Sequence, residues 1–201
     1  MSIKPLSSEP VVSNFLDPDG RTVGINEDWE SGPIAVQDTS EGLKYQAWHL
    51  TFADGTFTIT PEDTGAPVDF LTGQDSIQCT FAFDQNGRPT IAWEDSNSNG
   101  YLYWYDTTQA DFVVLQFEQS PIWGLALTLD DKRERQVGVS DIQLYYTLPS
   151  GSQDQYILYC RYQRERYDTP YELVNPSWPW IHKCGMNDGL RVQIETSTES
   201  P

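Results

Sequence analysis

From about residue 43 this chain is a succession of short runs rich in Tyr, Phe, Trp, Val, Ile and Thr, each closed by Gly, Asp, Asn or Pro. Tyr45–Phe52, Thr56–Thr60, Gln78–Phe83, Pro89–Glu94, Tyr101–Tyr105 and Phe112–Phe117 come first. Trp123–Leu129, Gln136–Ser140, Ile142–Thr147 and Gln155–Gln163 follow. Runs of this length with near-alternation are strands, and their close spacing implies antiparallel hairpins. Asn86-Gly87 and Asn99-Gly100 are the strongest hairpin dipeptides, because a type I′ turn needs positive φ at both central residues. No window of 11 residues or more carries a 3.6-residue period. The chain therefore reads as all-β.

The runs repeat weakly. Phe81-x-Phe83-Asp84 returns 46 residues later as Leu127-x-Leu129-Asp130, and Ile91-Ala92-Trp93-x-Asp95 returns as Val137-Gly138-Val139-x-Asp141. Each copy reads as a four-stranded antiparallel meander, one near 79–117 and one near 125–163, of propeller-blade length. Leu50-Thr-Phe52-Ala-Asp54-Gly55 reads as the start of a partial earlier copy. Two or three such units do not close a ring, since propellers have about four to eight blades. Propeller-blade-like repeats in an open sheet stack, a β-sandwich and closure by several chains all remain open. Residues 1–42, with Pro5, Pro10, Pro18, Pro33 and the turn Asp17-Pro18-Asp19-Gly20, read as an extended N-terminal arm ahead of a β domain over 43–174. Residues 175–201 read as a C-terminal aromatic segment and polar tail.

Charge narrows the partners. With 12 basic and 30 acidic residues the formal net charge is −18. Phosphate backbones need a basic footprint, so a nucleic-acid partner is not expected. No apolar run approaches the roughly 18 residues of a membrane span, and the start MSIKPLSSEP has no apolar signal core. Residues 1–131 carry 4 basic and 21 acidic side chains, a net of −17, whereas 132–201 carry 8 and 9, a net of −1. Half of the cations fall in two clusters, Lys132, Arg133 and Arg135, then Arg161, Arg164 and Arg166. Two readings fit: solvated loops, or a basic patch of one copy meeting the acidic part of another in a head-to-tail homo-oligomer. Trp178-Pro179-Trp180 has the same ambiguity, since proline-stiffened tryptophans cap a core or anchor an interface.

The chemistry-bearing motifs are few. Asp95-x-Asn97-x-Asn99-Gly100, with Asp106 in twelfth place, fits a calcium loop, which gathers about six to eight oxygens around a glycine turn. A polar hairpin loop explains the same residues without calcium. Beyond this optional calcium no cofactor is expected. Cys79, Cys160 and Cys184 are odd in number and widely spaced, which favours reduced thiols. His182-Lys-Cys184 supplies one ligand pair where a structural zinc site usually has two. Adjacent carboxylates carry little information among 30 acidic residues, and no nucleophile elbow, zinc-protease helix, P-loop or dinucleotide fingerprint occurs. A non-enzyme is expected.

Five properties accompany one another: acidic balance, the arm Asn14–Gly32 with Arg21-Thr-Val-Gly-Ile-Asn-Glu-Asp-Trp29, the expected lack of a signal peptide, few Met and Cys, and Phe81-Ala-Phe-Asp-Gln-Asn-Gly-Arg-Pro-Thr-Ile-Ala-Trp93 leading into Tyr-rich strands. Together they resemble small β-rich structural proteins of tailed-bacteriophage virions, over about residues 43–174. The resemblance implies a non-enzymatic assembly subunit of a tail, collar or fibre-attachment complex. It would be built in the host cytoplasm, sit in the virion among other virion proteins and form a homo-oligomer. The alternative is a carbohydrate-binding β module, lectin-like or receptor-binding, with Trp178, Trp180 and Tyr103 facing a host surface glycan. No functional residue is carried over from the resemblance.

Overall fold

The computed structural model describes residues 34–38, 45–61, 66–84, 88–130, 141–151, 155–186 and 192–198. The arm up to residue 33 and over 39–42, the Asn86-Gly87 turn, the cluster Lys132, Arg133 and Arg135, the run Gln136–Ser140 and residues 199–201 lie outside them. The described part is all-β and antiparallel. β1 (Ile34–Asp38), β2 (Tyr45–Ala53), β3 (Thr56–Pro61) and β4 (Val68–Leu71) form the first sheet. β5 (Gln78–Phe83), β6 (Pro89–Glu94), β7 (Gly100–Asp106) and β8 (Asp111–Glu118) form the second. β9 (Gly124–Asp130), β10 (Asp141–Pro149), β11 (Tyr156–Tyr162) and β12 (Tyr171–Ser177) form the third, and β13 (Trp180–Met186) pairs with β14 (Val192–Ser197) in a hairpin. A 3-10 turn, Gln163–Glu165, follows β11.

Each four-stranded sheet is a simple meander, its strands hydrogen-bonded in chain order. The sheets stack face to face, with β1 against β5, β5 against β9 and β9 against β13. Side-chain alternation makes this possible, because successive residues of a strand point to opposite faces. Along β6, Ile91 and Trp93 join Leu50, Phe57, Ile59 and Phe81 between the first two sheets. Ala92, one step out of phase, joins Leu102, Leu125, Leu127, Leu144 and Tyr146 between the second and third. Every residue of β6 is buried as a result. The third sheet repeats the device: Leu127 and Leu144 face the second sheet, while Ala126, Tyr145 and Cys160 face Ile181 of the hairpin.

The internal repeat holds for the first strand of each meander only. Phe81 and Leu127 both lie in first strands and both face the preceding sheet. Their cross-strand partners are Ile91 and Leu144, so the offset grows from 46 to 53 residues in the second strand. β9 pairs directly with β10, and Ile142–Thr147 therefore takes the place expected for Gln136–Ser140. The fourth strand of that meander is β12, beyond the expected limit near 163. Leu50–Phe52 lies in a second strand, and the meander before Phe81 opens with β1, inside the segment read as an arm. Thr196 and Ser197, read as polar tail, end strand β14.

Two features lock the stack. Arg161 on β11 is 9% exposed and spends its guanidinium inside the chain. Nη2 donates to the Phe117 carbonyl at 2.7 Å, Nη1 to the Tyr167 carbonyl at 2.7 Å and the Asp168 carbonyl at 3.2 Å, and Nε to the Tyr146 hydroxyl at 2.9 Å. Phe117 belongs to the second sheet and Tyr146 to the third, so one planar fork ties both to the turn after β11. Burial pushes the Tyr146 phenol up to about 12, with the Arg161 charge and hydrogen bond pulling the other way. Gly124, at the start of β9, permits the hairpin to approach. A Cβ there would meet the Ile181 nitrogen at 2.7 Å and the Pro179 oxygen at 2.8 Å, both backbone atoms that cannot swing aside.

Two stability outcomes follow from these locks. Arg161→Lys cannot span three carbonyls and a phenol, so it should lower the unfolding free energy by about 3 kcal/mol in urea titrations. Gly124→Ala forces β9 and β13 apart and should cost about 2 kcal/mol, in the range of other overpacked sites.

Candidate functional site

The expected calcium ligands do not converge. Asp95 closes the β6–β7 turn, with Oδ1 accepting from the Asn97 backbone at 2.9 Å and the Asn99 backbone at 2.8 Å. The Asn99 amide nitrogen approaches Oδ1 at 3.2 Å and Oδ2 at 3.0 Å, so both oxygens take donors from the chain. Asp106 stands at the other end of the seven-residue β7, roughly 20 Å away at about 3.3 Å per residue. There its carboxylate accepts from the Thr108 backbone at 2.8 Å and the Gln109 amide at 3.0 Å, and pairs with Arg166 at 2.8 Å. Asp95, Asn97, Asn99 and Asp106 are thus two separate turn devices rather than a cation shell. Burial alone would raise the Asp95 carboxyl, but the Asn99 and Asn97 hydrogen bonds outweigh it and hold it below its ordinary value. The Asp106 carboxyl is lowered in the same way, by Thr108, Gln109 and the Arg166 charge against burial.

The cysteines are likewise dispersed. Cys79 packs between the first and second sheets and Cys160 between the third sheet and the hairpin, which rules out a shared metal for this pair. Burial pushes the Cys79 thiol up to about 12. The side chains of His182 and Cys184 lie outside the described residues.

Of the expected docking arginines, Arg161 is internal. Arg166 ties the loop after β11 to Asp106 of the second sheet, and the Arg164 guanidinium sits 4.5 Å from the Tyr162 ring centre and 3.9 Å from Glu165. A three-arginine patch is not displayed: Arg164 and Arg166 are exposed while Arg161 is not. Tyr103 is no open platform either, since it stacks on Phe112 at 4.8 Å and meets Phe70 at 6.4 Å between the first two sheets. Trp178 is 53% exposed. Trp180 opens β13 and lies edge-to-face against Trp123 at 5.4 Å.

That pair marks a cavity of about 420 Å³ at one end of the stack, where β5, β9 and β13 begin and β6 ends. Its walls include Ile77, Pro121, Ile122, Trp123, Trp180 and Ile181. Gln78, Glu94 and Ser98 supply polar groups. Trp123 is 37% exposed and also meets Tyr156 edge-to-face at 5.5 Å. Glu94 is buried and accepts from the Ile122 backbone at 2.9 Å and from the Gln78 amide nitrogen at 2.6 Å. The Gln78 nitrogen also donates to the Ile122 carbonyl at 2.7 Å. Thr147 Oγ1 donates to the Pro179 carbonyl, securing the entry to β13.

Gln78, Glu94 and Trp123 were not singled out from sequence. Each sits at a strand end and looks like ordinary strand or turn material there. The available signal was Trp123-Gly124, a large ring beside the one residue small enough for close sheet contact.

No protein-family model matches this chain, and no curated protein or solved structure matches it.

Because the Asp95 and Asp106 carboxyls are lowered in the folded chain, their contribution is present above about pH 3.8 and is lost as pH falls through the lowered values. Urea midpoints should drop between pH 6 and pH 3, and Asp95→Asn should blunt that drop. Millimolar calcium should leave the melting temperature unchanged, as differential scanning fluorimetry will register.

Proposed function

We propose that this chain is a non-enzymatic structural subunit of a tailed-bacteriophage virion, part of a tail, collar or fibre-attachment complex, and that it works as a homo-oligomer among other virion proteins. The observation that carries this reading is the character of the outer sheet edges. β4, β8 and β12 each end a sheet with no further strand paired beyond them among the described residues. Each also exposes apolar side chains: Val68 on β4, Val114 on β8, and Tyr171, Leu173 and Val174 on β12. On β12 these are 40%, 45% and 47% exposed and outnumber the strand's own guards, Glu172 and Pro176. A soluble monomer normally blunts such edges with charge, proline or cover, and an assembly subunit covers them with neighbours.

The carboxylates support a scaffold in a second way. Asp84, Glu94, Asp95 and Asp106 are all buried, and each accepts hydrogen bonds from a turn or strand end of its own chain. They are building material for turns. The remaining cationic docking groups, Arg164 and Arg166, lie near the start of β12 and fit a rim contact that sets orientation.

Light scattering on the purified full chain should give a discrete oligomer, and Leu173→Glu with Val174→Lys should reduce it to monomer without lowering the melting temperature. A wild-type monomer at every concentration tested would sink the assembly reading. Antibody raised against the chain should label the tail or collar of particles from the phage that encodes it; unlabelled particles would sink the virion assignment.

A further inference from the structure

We propose that the cavity bounded by Trp123, Trp180, Ile77, Gln78 and Glu94 is a binding site for a single neutral pyranose ring. This does not rest on the assembly reading, because every described wall belongs to one chain.

The argument begins with Gln78. Its amide nitrogen lies 2.6 Å from a Glu94 carboxylate oxygen and 2.7 Å from the Ile122 carbonyl. Both partners are acceptors, so the nitrogen and not the oxygen must face them. Both amide protons are thereby used, and the orientation of the group is locked. The carbonyl Oε1 receives no hydrogen bond from the described residues. An acceptor held rigidly on a cavity wall calls for a donor from a ligand, and it incurs no ordering cost when one arrives.

The tryptophans supply the complementary part. Neither the Trp123 nor the Trp180 indole N–H is buried without a partner, and neither donates within the described residues. The wall therefore sets a fixed acceptor beside two indole rings whose N–H groups have no partner among the described residues. A pyranose has this dual character, with hydroxyls that donate and accept around its rim and C–H groups on its faces. Those C–H groups carry partial positive charge and favour the electron-rich face of an indole. A purely apolar ligand would leave the Gln78 carbonyl desolvated and unpaired, a cost that a hydroxylated ring avoids.

Charge decides which sugar class. The Glu94 carboxylate forms part of the wall, and Asp95, next to it in the chain, anchors the turn that carries Ser98. The whole chain carries −18. Sialic acids, uronic acids and sugar phosphates would enter against this field, so neutral hexoses and N-acetylhexosamines are the class that fits. At about 420 Å³ the cavity lies at the small end of ligand pockets, suited to one ring rather than a long chain segment.

The test uses the full chain with methyl glycosides of glucose, galactose, mannose and N-acetylglucosamine, with N-acetylneuraminic acid as the charged control. Indole N–H signals in proton–nitrogen NMR and tryptophan fluorescence are the readouts. At least one neutral glycoside should shift two indole signals, with a dissociation constant of about 1 mM for a ligand of this size. Trp123→Ala should weaken it by about tenfold or more, whereas Trp178→Ala, outside the cavity, should leave it unchanged. Trp123→Phe keeps an aromatic ring without the N–H, and should show intermediate affinity if the alanine variant proves unstable. A parallel array of immobilised glycans separates recognition of a terminal residue on a surface polysaccharide from recognition of free sugar only. No indole shift by any neutral glycoside at about 50 mM, well above that constant, would overturn the proposal. Equal binding of N-acetylneuraminic acid, or wild-type affinity in both Trp123 variants, would overturn it too.

Discussion

The second sheet has to be apolar on both of its faces, and the rest of the molecule depends on that. A sheet with one greasy face needs one cover and stops there. β6 alternates Ile91 and Trp93 on one side with Thr90 and Ala92 on the other, all buried, so the sheet demands a neighbour on each face. The third sheet is two-faced in the same way and calls in the hairpin. Both interfaces hold aromatic and aliphatic side chains, in different proportions. Aromatic rings fill the gap between the first and second sheets, with Phe57 and Trp93 5.2 Å apart. Leucines and alanines dominate the next gap, where Leu125, Leu127 and Leu129 meet Ala82 and Ala92.

Polar groups buried by this stacking are used as fasteners. Arg161 shows it best: its donors go to three carbonyls and a phenol drawn from two sheets and a turn. Glu94 does the same on β6, joining β5 to the segment that leads into β9. A buried charge is costly unless its hydrogen-bonding capacity is filled, and in both residues backbone groups and one neighbouring side chain supply the partners. The consequence for function is indirect. Among the described residues, Arg161, Asp84, Glu94, Asp95 and Asp106 are committed inside the fold, whereas apolar side chains at sheet edges and an aromatic cavity stay open.

The cavity is a by-product of how the sheets meet. Gly124 lets β13 approach β9 closely, which brings Trp180 beside Trp123, and the Gln78–Glu94 pair closes the wall from the second sheet. Four separate stretches of chain, from Ile77 to Ile181, contribute to it.

Alternation of side chains and turn dipeptides determined, from sequence alone, that the chain is all-β, antiparallel and built of meanders, because strand period and hairpin chemistry are local properties. The equivalence of Phe81 and Leu127 was legible for the same reason, since both occupy the face toward the preceding sheet. Strand partners beyond the first hairpin were not, because the β9–β10 connection is longer than its counterpart and moved the second strand from Val137 to Leu144. The calcium pattern failed on a distance that only an extended β7 reveals: Asp95 and Asp106, eleven residues apart in sequence, stand at opposite ends of a strand. Tertiary structure alone decided that Arg161 is buried while Arg164 and Arg166 are exposed. It alone decided that Gln78, Glu94, Trp123 and Trp180 share a cavity, because close approach between sheets is a long-range consequence of packing that no run of neighbouring residues encodes.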